Sequence, residues 1–147
     1  MNRTLLVYLL LTAVSPSPAA EIQSAAVISI DYPVSESDFT PDLEPAMAAK
    51  RQGLDYNTPA LSAWKKNPKG LDAFLRLSSK LKLDGAYAEI HHEILTHLLL
   101  RWGDVDFAKA IPTHDPKVIP DLKRHFAQHI KFQVMFPDTA KALESKN

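Results

Sequence analysis

The segment from Gly85 to Trp102 constrains the fold more than any other part of the sequence. Its apolar residues recur three and four positions apart, which is the spacing of a helix face. At about 100° per residue they cover well over half of the helix circumference. The remaining strip is polar and holds Glu89, His92, Glu93 and Thr96. Such a helix has to be covered by neighbours on most sides, so we expect it at the centre of the core.

Helix start and stop signals divide most of the remaining chain. Thr58-Pro59 and Asn67-Pro68 each open a segment, because a capping residue followed by proline is typical of a first helical turn. Gly103 ends the central helix, and a last long helix is predicted over about 120–134. No run alternates polar and apolar residues as a strand does. The pattern predicts an all-α fold, a compact bundle of about five short-to-medium helices over residues 58–147, which could be arranged as two stacked helical hairpins.

The N-terminus has the three-part layout of a secretory signal. A single positive charge, Arg3, precedes an apolar run, and the small residues that follow end at Ala19. The alternative is a transmembrane anchor, but the uncharged apolar stretch over 4–14 is much shorter than the about 20 residues that span a bilayer. We therefore predict a signal peptide over residues 1–19 and an exported protein, periplasmic or secreted. No stable membrane insertion is expected after cleavage.

Residues 20–57 are predicted to form a proline-containing arm with one short helix. Prolines at 33, 41 and 45 interrupt any longer regular element. The short helix runs through 46–52 and stops at Gly53, which can take the left-handed conformation of a helix C-terminus. The sequence leaves open whether this arm packs on the helical domain or acts as a tether.

Composition and charge exclude several classes of protein. The 147 residues carry 17 basic and 17 acidic side chains, so the total charge gives no attraction to nucleic acid or to anionic lipid. Without cysteine the chain has no disulfide and no thiolate metal site, so its stability must come from an apolar core. It also has no phosphate-binding loop and no dinucleotide fingerprint. We expect a protein or peptide partner and no nucleic acid.

Two tryptophans stand about 38 residues apart in similar surroundings. Trp64 ends a helical segment and is followed by a polar break and a second helix, and Trp102 is followed by Gly103-Asp104 and a second helix. A period of this length fits stacked helical hairpins. Over residues 58–112 the chain resembles bacterial exported proteins with short tetratricopeptide-like helical hairpin repeats. The resemblance implies a scaffold that holds a peptide or protein, and the alternative is two unrelated helices that each bury a tryptophan.

Four aromatic residues are predicted to serve either the core or an interaction surface: Trp64, Phe74, Trp102 and Phe126. All four lie in helical segments among apolar residues at helical spacing. Aromatic side chains bury a large apolar area, so they are the first candidates for either role.

Histidines supply the clearest chemical signal in the sequence. Glu93 with His97, and His125 with His129, are each four apart and so lie side by side on a helix. If the two helices face each other, these four groups could form a nitrogen- and oxygen-ligated zinc site. The alternative is that His91, His97 and His129 are buried and bond to backbone carbonyls or to Glu93, and that His125 faces water.

These observations favour a small exported α-helical protein that acts as a protein- or peptide-interaction module. The sequence contains no complete catalytic constellation, so neither catalysis nor a cofactor is expected. The alternative is a metal-binding protein or a metal-dependent hydrolase that uses the histidines with zinc. The two differ in geometry, because a metal site needs converging ligands whereas an interaction module needs an exposed apolar groove.

Overall fold

The protein is described by a computed structural model over residues 35–112, 115–127 and 131–144. All regular structure in these ranges is helical, which confirms the predicted all-α fold. After a 3₁₀ turn at Glu36–Asp38, the helices are α1 (Glu44–Arg51), α2 (Asn57–Trp64), α3 (Pro68–Ser78), α4 (Gly85–Trp102), α5 (Asp104–Ala110), α6 (Val118–Phe126), α7 (Phe132–Met135) and α8 (Pro137–Glu144). The predicted signal peptide and the first part of the predicted arm lie outside the described residues.

Helix α4 lies at the centre of the core, as predicted. Its buried side chains include Ile94, Leu95, Leu98 and Leu99, each at most 1% exposed. Helices α1, α2 and α5 pack against it. Gly103 ends α4 with a φ of +78°, a left-handed conformation that glycine adopts without the strain of a Cβ, and the chain turns directly into α5.

Two helical hairpins form most of the scaffold. Helix α2 packs along α3, α4 packs on α5, and the hairpins contact each other through α2 with α4 and α3 with α5. Asn67 caps α3 as predicted, because its side chain accepts hydrogen bonds from the amides of Lys69 and Gly70 at 3.0 and 3.4 Å. At Gly70 the two helices of the first hairpin lie so close that a Cβ would fall 2.7 Å from the backbone carbonyl carbon of Ser62. This crossing therefore requires glycine.

The described part of the predicted helical domain contains seven helices, α2 to α8, where the sequence predicts about five. The prediction of one long helix over about 120–134 is wrong, and this is the largest difference between the predicted and observed helices. Helix α6 ends at Phe126, and Lys131 has a φ of +70°, a left-handed conformation that cannot continue a right-handed helix. A separate short helix, α7, starts at Phe132, so the apolar spacing that suggested one helix extends over two.

The described part of the predicted arm packs on the helical domain. The short helix predicted over 46–52 is present as α1, and it packs on α4. Phe39 and Leu43, which precede it, are 8% and 6% exposed and belong to the core. The ring of Phe39 lies 5.7 Å from that of Trp64. The core therefore begins well before residue 58.

Asp104 connects the start of α5 to the start of α8. Its carboxylate accepts hydrogen bonds from the amides of Asp138 and Thr139, both at 2.7 Å, and the Thr139 hydroxyl donates to the Asp104 carbonyl at 3.2 Å. These amides belong to the first turn of α8, whose N–H groups have no partner within the helix. Asp104 therefore caps α8 from another helix and holds it against α5.

Asp104→Ala is expected to lower the free energy of unfolding by about 1–2 kcal/mol, because two amides of α8 lose their carboxylate acceptor. Asp106→Ala is the matched control. It removes an acid from the same turn of α5, where the carboxylate is largely exposed and pairs with Lys109, and it should cost less than about 0.5 kcal/mol. Urea unfolding followed by circular dichroism measures both. Equal effects of the two substitutions would contradict the capping role.

Candidate functional site

The residues of the predicted zinc site lie only in part within the described chain. Glu93 and His97 are one turn apart on α4 and half-buried, and His125 is buried on α6. His129 lies outside the described residues. Among the residues that the structure describes, no group of three or more histidine, aspartate or glutamate side chains could hold a metal ion. The four-residue zinc site stays a prediction.

His125 contacts the polar strip of α4. Its ring lies 4.4 Å from that of His92, and its Nε2 lies 3.5 Å from Thr96 Oγ1. The residue is 2% exposed, so the expectation that it faces water is wrong. The reason is its position three residues after Leu122, which places it on the buried stripe of α6.

His91 forms a second buried contact, with Tyr56 at the start of α2. The Tyr56 hydroxyl lies 2.9 Å from His91 Nδ1, and the two residues are 2% and 5% exposed. The fully buried ring of Phe74 packs on both, with centroids 5.3 Å from Tyr56 and 5.6 Å from His91. His91 Nε2 is buried and has no hydrogen-bond partner. His91 is thus buried as predicted, but the expected partner, a backbone carbonyl or Glu93, is wrong. Its partner is Tyr56, which comes from a distant part of the chain that no local pattern indicates.

The Tyr56–His91 pair is held in its neutral form. Burial raises the pKa of Tyr56 well above its usual value. Burial, with a contribution from the neighbouring His92, lowers the pKa of His91 to about 3. Both shifts oppose transfer of the phenol proton to the imidazole. The pair is therefore suited to joining α2 to α4, and it does not generate a nucleophile.

Asp121 lies one turn before His125 on α6 and brings a carboxylate close to His92. Burial raises the pKa of Asp121, whereas the charges of Arg124 and His92 act in the opposite direction. Arg124 also forms an ion pair with it. Asp121 is thus engaged by an arginine of its own helix, and we assign it a role in the fold. It belongs to no group of metal-ligating side chains among the described residues.

The C-terminal ends of α2 and α4, which carry Trp64 and Trp102, contact each other. The Trp102 indole N–H donates to the Ala63 carbonyl at 2.9 Å, and Arg101 Nε donates to the Trp64 carbonyl at 2.7 Å. The Arg101 guanidinium also lies 4.6 Å from the centre of the Trp64 ring, in a cation–π contact. Side chains of α4 thus provide hydrogen bonds for the last carbonyls of α2. Both tryptophans are half-buried and engaged within the fold.

An open groove of about 510 Å³ lies between α6, α7 and α8. Its apolar lining includes Phe126, Phe132, Ala140 and Leu143. Its more polar or exposed lining includes Lys123, Lys131, Gln133, Val134 and Glu144. Phe126, at 1% exposure, stacks on Phe132 with the ring centroids 4.6 Å apart, and Val134 is 57% exposed. Pockets that bind small molecules usually measure about 300–1,000 Å³, and this groove falls within that range.

No sequence pattern indicates this groove, because the groove depends on the break between α6 and α7. In a continuous helix Val134 would extend the buried stripe of Leu122 and Phe126. With the break at Lys131, it belongs to a separate short helix and is largely exposed. No glycine or proline in the sequence signals this break.

A smaller cavity of about 260 Å³ lies between α1 and the start of α2. Its lining combines apolar residues with Lys50, Asp55 and Asn57. Its volume is about half that of the groove between α6, α7 and α8. The groove at α6–α8 is therefore the stronger candidate for a binding site.

Comparison with protein-family models, with curated proteins and with solved structures finds no match for this chain. Of the helices in the described residues, none has the length and apolar character that crossing a membrane requires.

Stability is expected to fall as the pH is lowered, because His91 is buried in its neutral form. The unfolded chain binds a proton at this residue below about pH 6.5, whereas the folded chain does so only near pH 3. From this group alone, the free energy of unfolding should fall by about 2 kcal/mol between roughly pH 7.5 and pH 5. Urea unfolding at a series of pH values measures the slope.

His91→Gln is the control for this pH dependence. Glutamine keeps a hydrogen-bonding partner for Tyr56 but does not titrate, so the variant should show a flatter dependence of stability on pH. The slope of the free energy of unfolding against pH shows whether His91 causes the pH dependence, whatever the change in stability at neutral pH. If wild type and variant lose stability in parallel, His91 is not the group responsible.

Proposed function

We propose that this protein is an exported, non-catalytic interaction module that binds a protein or peptide segment in the groove between α6, α7 and α8. The observation that carries the proposal is the groove itself, about 510 Å³ in volume and lined in large part by aromatic and aliphatic side chains. An open apolar depression on a small domain is typical of a binding surface.

The groove offers an anchor point of the kind that interfaces use. Val134 is 57% exposed and lines the groove, and the stacked rings of Phe126 and Phe132 form part of the same lining. Phe132 is held in turn by Phe136, with ring centroids 5.6 Å apart. Binding energy concentrates where an apolar side chain enters a well-packed pocket.

The acid–base groups of the core favour binding over catalysis. Tyr56, His91 and His125 are each at most 5% exposed, and their rings contact residues of neighbouring helices. A general acid or base has to come within hydrogen-bond distance of its substrate. Groups enclosed in this way hold helices together.

The proposal extends to location and scaffold. The charge, apolar run and small residues of positions 1–19 support export, so the partner is a protein or peptide of the periplasm or the exterior. The resemblance to tetratricopeptide-like hairpins over 58–112 supports a scaffold role for the pairs α2–α3 and α4–α5. In this arrangement the hairpins support the C-terminal helices, and those helices form the contact surface.

Val134→Asn is expected to abolish or strongly weaken partner binding, because it replaces the exposed apolar side chain of the groove by a polar one. Val105→Asn is the matched control, since Val105 is a 50% exposed valine on α5 that does not line the groove. Proteins and peptides of the host's exported fraction are captured on wild type and on both variants. Each captured partner is then purified, and its affinity for the three proteins is measured by titration.

A partner that binds wild type and Val105→Asn, and that Val134→Asn loses while its circular dichroism spectrum is unchanged, supports the proposal. Equal binding by all three proteins would contradict it.

A further inference from the structure

Helix α8 is joined to α7 by a single residue. Helix α7 ends at Met135 and α8 starts at Pro137, so only Phe136 lies between them. The Phe136 amide donates to the Phe132 carbonyl at 2.8 Å, and the Phe136 carbonyl accepts from the Ala140 amide at 2.9 Å. When the chain rotates about ψ of Phe136, the first bond stays with α7 and the second moves with α8. Such a rotation therefore moves α8 as a unit and breaks neither bond.

The backbone around Phe136 fits a hinge between two separate helices. Phe136 has a φ of −132° and a ψ of 64°. The residue before a proline is most often extended, with a ψ of about 120–160°. Pro137 also prevents α7 and α8 from merging into one helix, because its ring would clash with a carbonyl of the preceding turn. A change to the extended conformation would thus point α8 in a new direction and leave it a separate helix.

The surface that holds α8 belongs to other helices. Helix α8 packs on α5, α6 and α7 through Thr139, Ala140 and Leu143, which are 0%, 7% and 3% exposed. Asp104 of α5 accepts hydrogen bonds from its first amides. A helix of eight residues is not stable alone in water, so α8 requires such a surface. A second copy of the chain carries the identical surface and the identical carboxylate.

We propose that α8 exchanges between two copies of this chain, so that the α8 of each copy docks on α5, α6 and α7 of the other. Domain swapping of this kind is a low-cost route to a dimer, because each exchanged contact replaces an identical one. Asp104 of one copy then caps the α8 of the other. Three groove residues, Ala140, Leu143 and Glu144, come from the second copy. Each dimer thus has two grooves built from both chains.

Protein concentration decides between the closed monomer and the exchanged dimer. Across a one-residue connection, the α8 of the same copy is present at a high effective concentration, typically in the millimolar range for short connections. The monomer therefore dominates in dilute solution, and the dimer forms when chains fold at high concentration. Once formed, the dimer persists on dilution, because both α8 helices have to undock before the chains separate.

The first measurement is refolding of the full chain from urea at a series of protein concentrations, followed by size-exclusion chromatography with light scattering. We expect monomer at low concentration and a growing fraction of dimer at high concentration. The isolated dimer should return to monomer slowly after dilution.

Asp104→Ala is expected to speed this return at least about fivefold, because loss of the cap favours undocked α8. The equilibrium between monomer and dimer should change little, since both forms lose the same cap. Asp106→Ala is the matched control and should leave the rate unchanged, because Asp106 pairs with Lys109 of its own helix.

A pair of complementary variants tests the exchange directly. Leu143→Asp places a charge in the buried face of α8, and Asp104→Lys puts a positive charge at the positive end of the α8 dipole. Each variant alone lacks one of the two matching surfaces and should stay monomeric. In a mixture, the unaltered α8 of Asp104→Lys can dock on the unaltered surface of Leu143→Asp. A one-to-one heterodimer should therefore form.

The exchange is contradicted if wild type refolds only to monomer at every concentration, or if the two folded variants do not associate when mixed. Association of either variant alone, or an unchanged dissociation rate in Asp104→Ala, would assign the dimer to another surface. Circular dichroism shows whether each variant keeps its helices, and if one unfolds, the wild-type concentration series decides. All of these results leave the groove of the monomer, and with it the proposed function, standing.

Discussion

The fold depends on the need to cover α4 on most of its circumference. Fully burying one leucine or isoleucine is worth about 1.5–3 kcal/mol relative to leaving it exposed, and α4 buries several of them side by side. Its most enclosed residues are Ile94, Leu95, Leu98 and Leu99. Helices α1, α2 and α5 pack around them, and the two hairpins follow from this requirement.

The polar residues of α4 connect this core to the C-terminal helices. A continuous series of ring contacts links α4 to the C-terminal helices. The centroid distances are 6.3 Å from His91 to His92, 4.4 Å from His92 to His125 and 4.5 Å from His125 to Phe126. Phe126 in turn stacks on Phe132 with centroids 4.6 Å apart. Buried polar groups cost free energy unless they find partners, so their positions are restricted. The groove at α6–α8 is thus built directly on the core, and Asp104 holds its third helix in place.

Local features of the fold could be predicted from the sequence, and long-range ones could not. The all-α class, the cap at Asn67 and the helix end at Gly103 depend on spacing and on single residues, which the sequence displays directly. The break at Lys131 carries no glycine or proline, and the groove depends on it. The pairing of Tyr56 with His91 joins distant segments, so it required the three-dimensional structure. The zinc site and the interaction role stay predictions.

Native-state hydrogen exchange measures most directly whether the molecule is organised around α4. The amides of Leu95, Leu98 and Leu99 should exchange only through global unfolding, with a free energy equal to that from urea denaturation. Amides of α8, such as that of Leu143, should exchange through local opening at a lower free energy. If the α4 amides exchange more readily than those of α8, the central role assigned to α4 is contradicted.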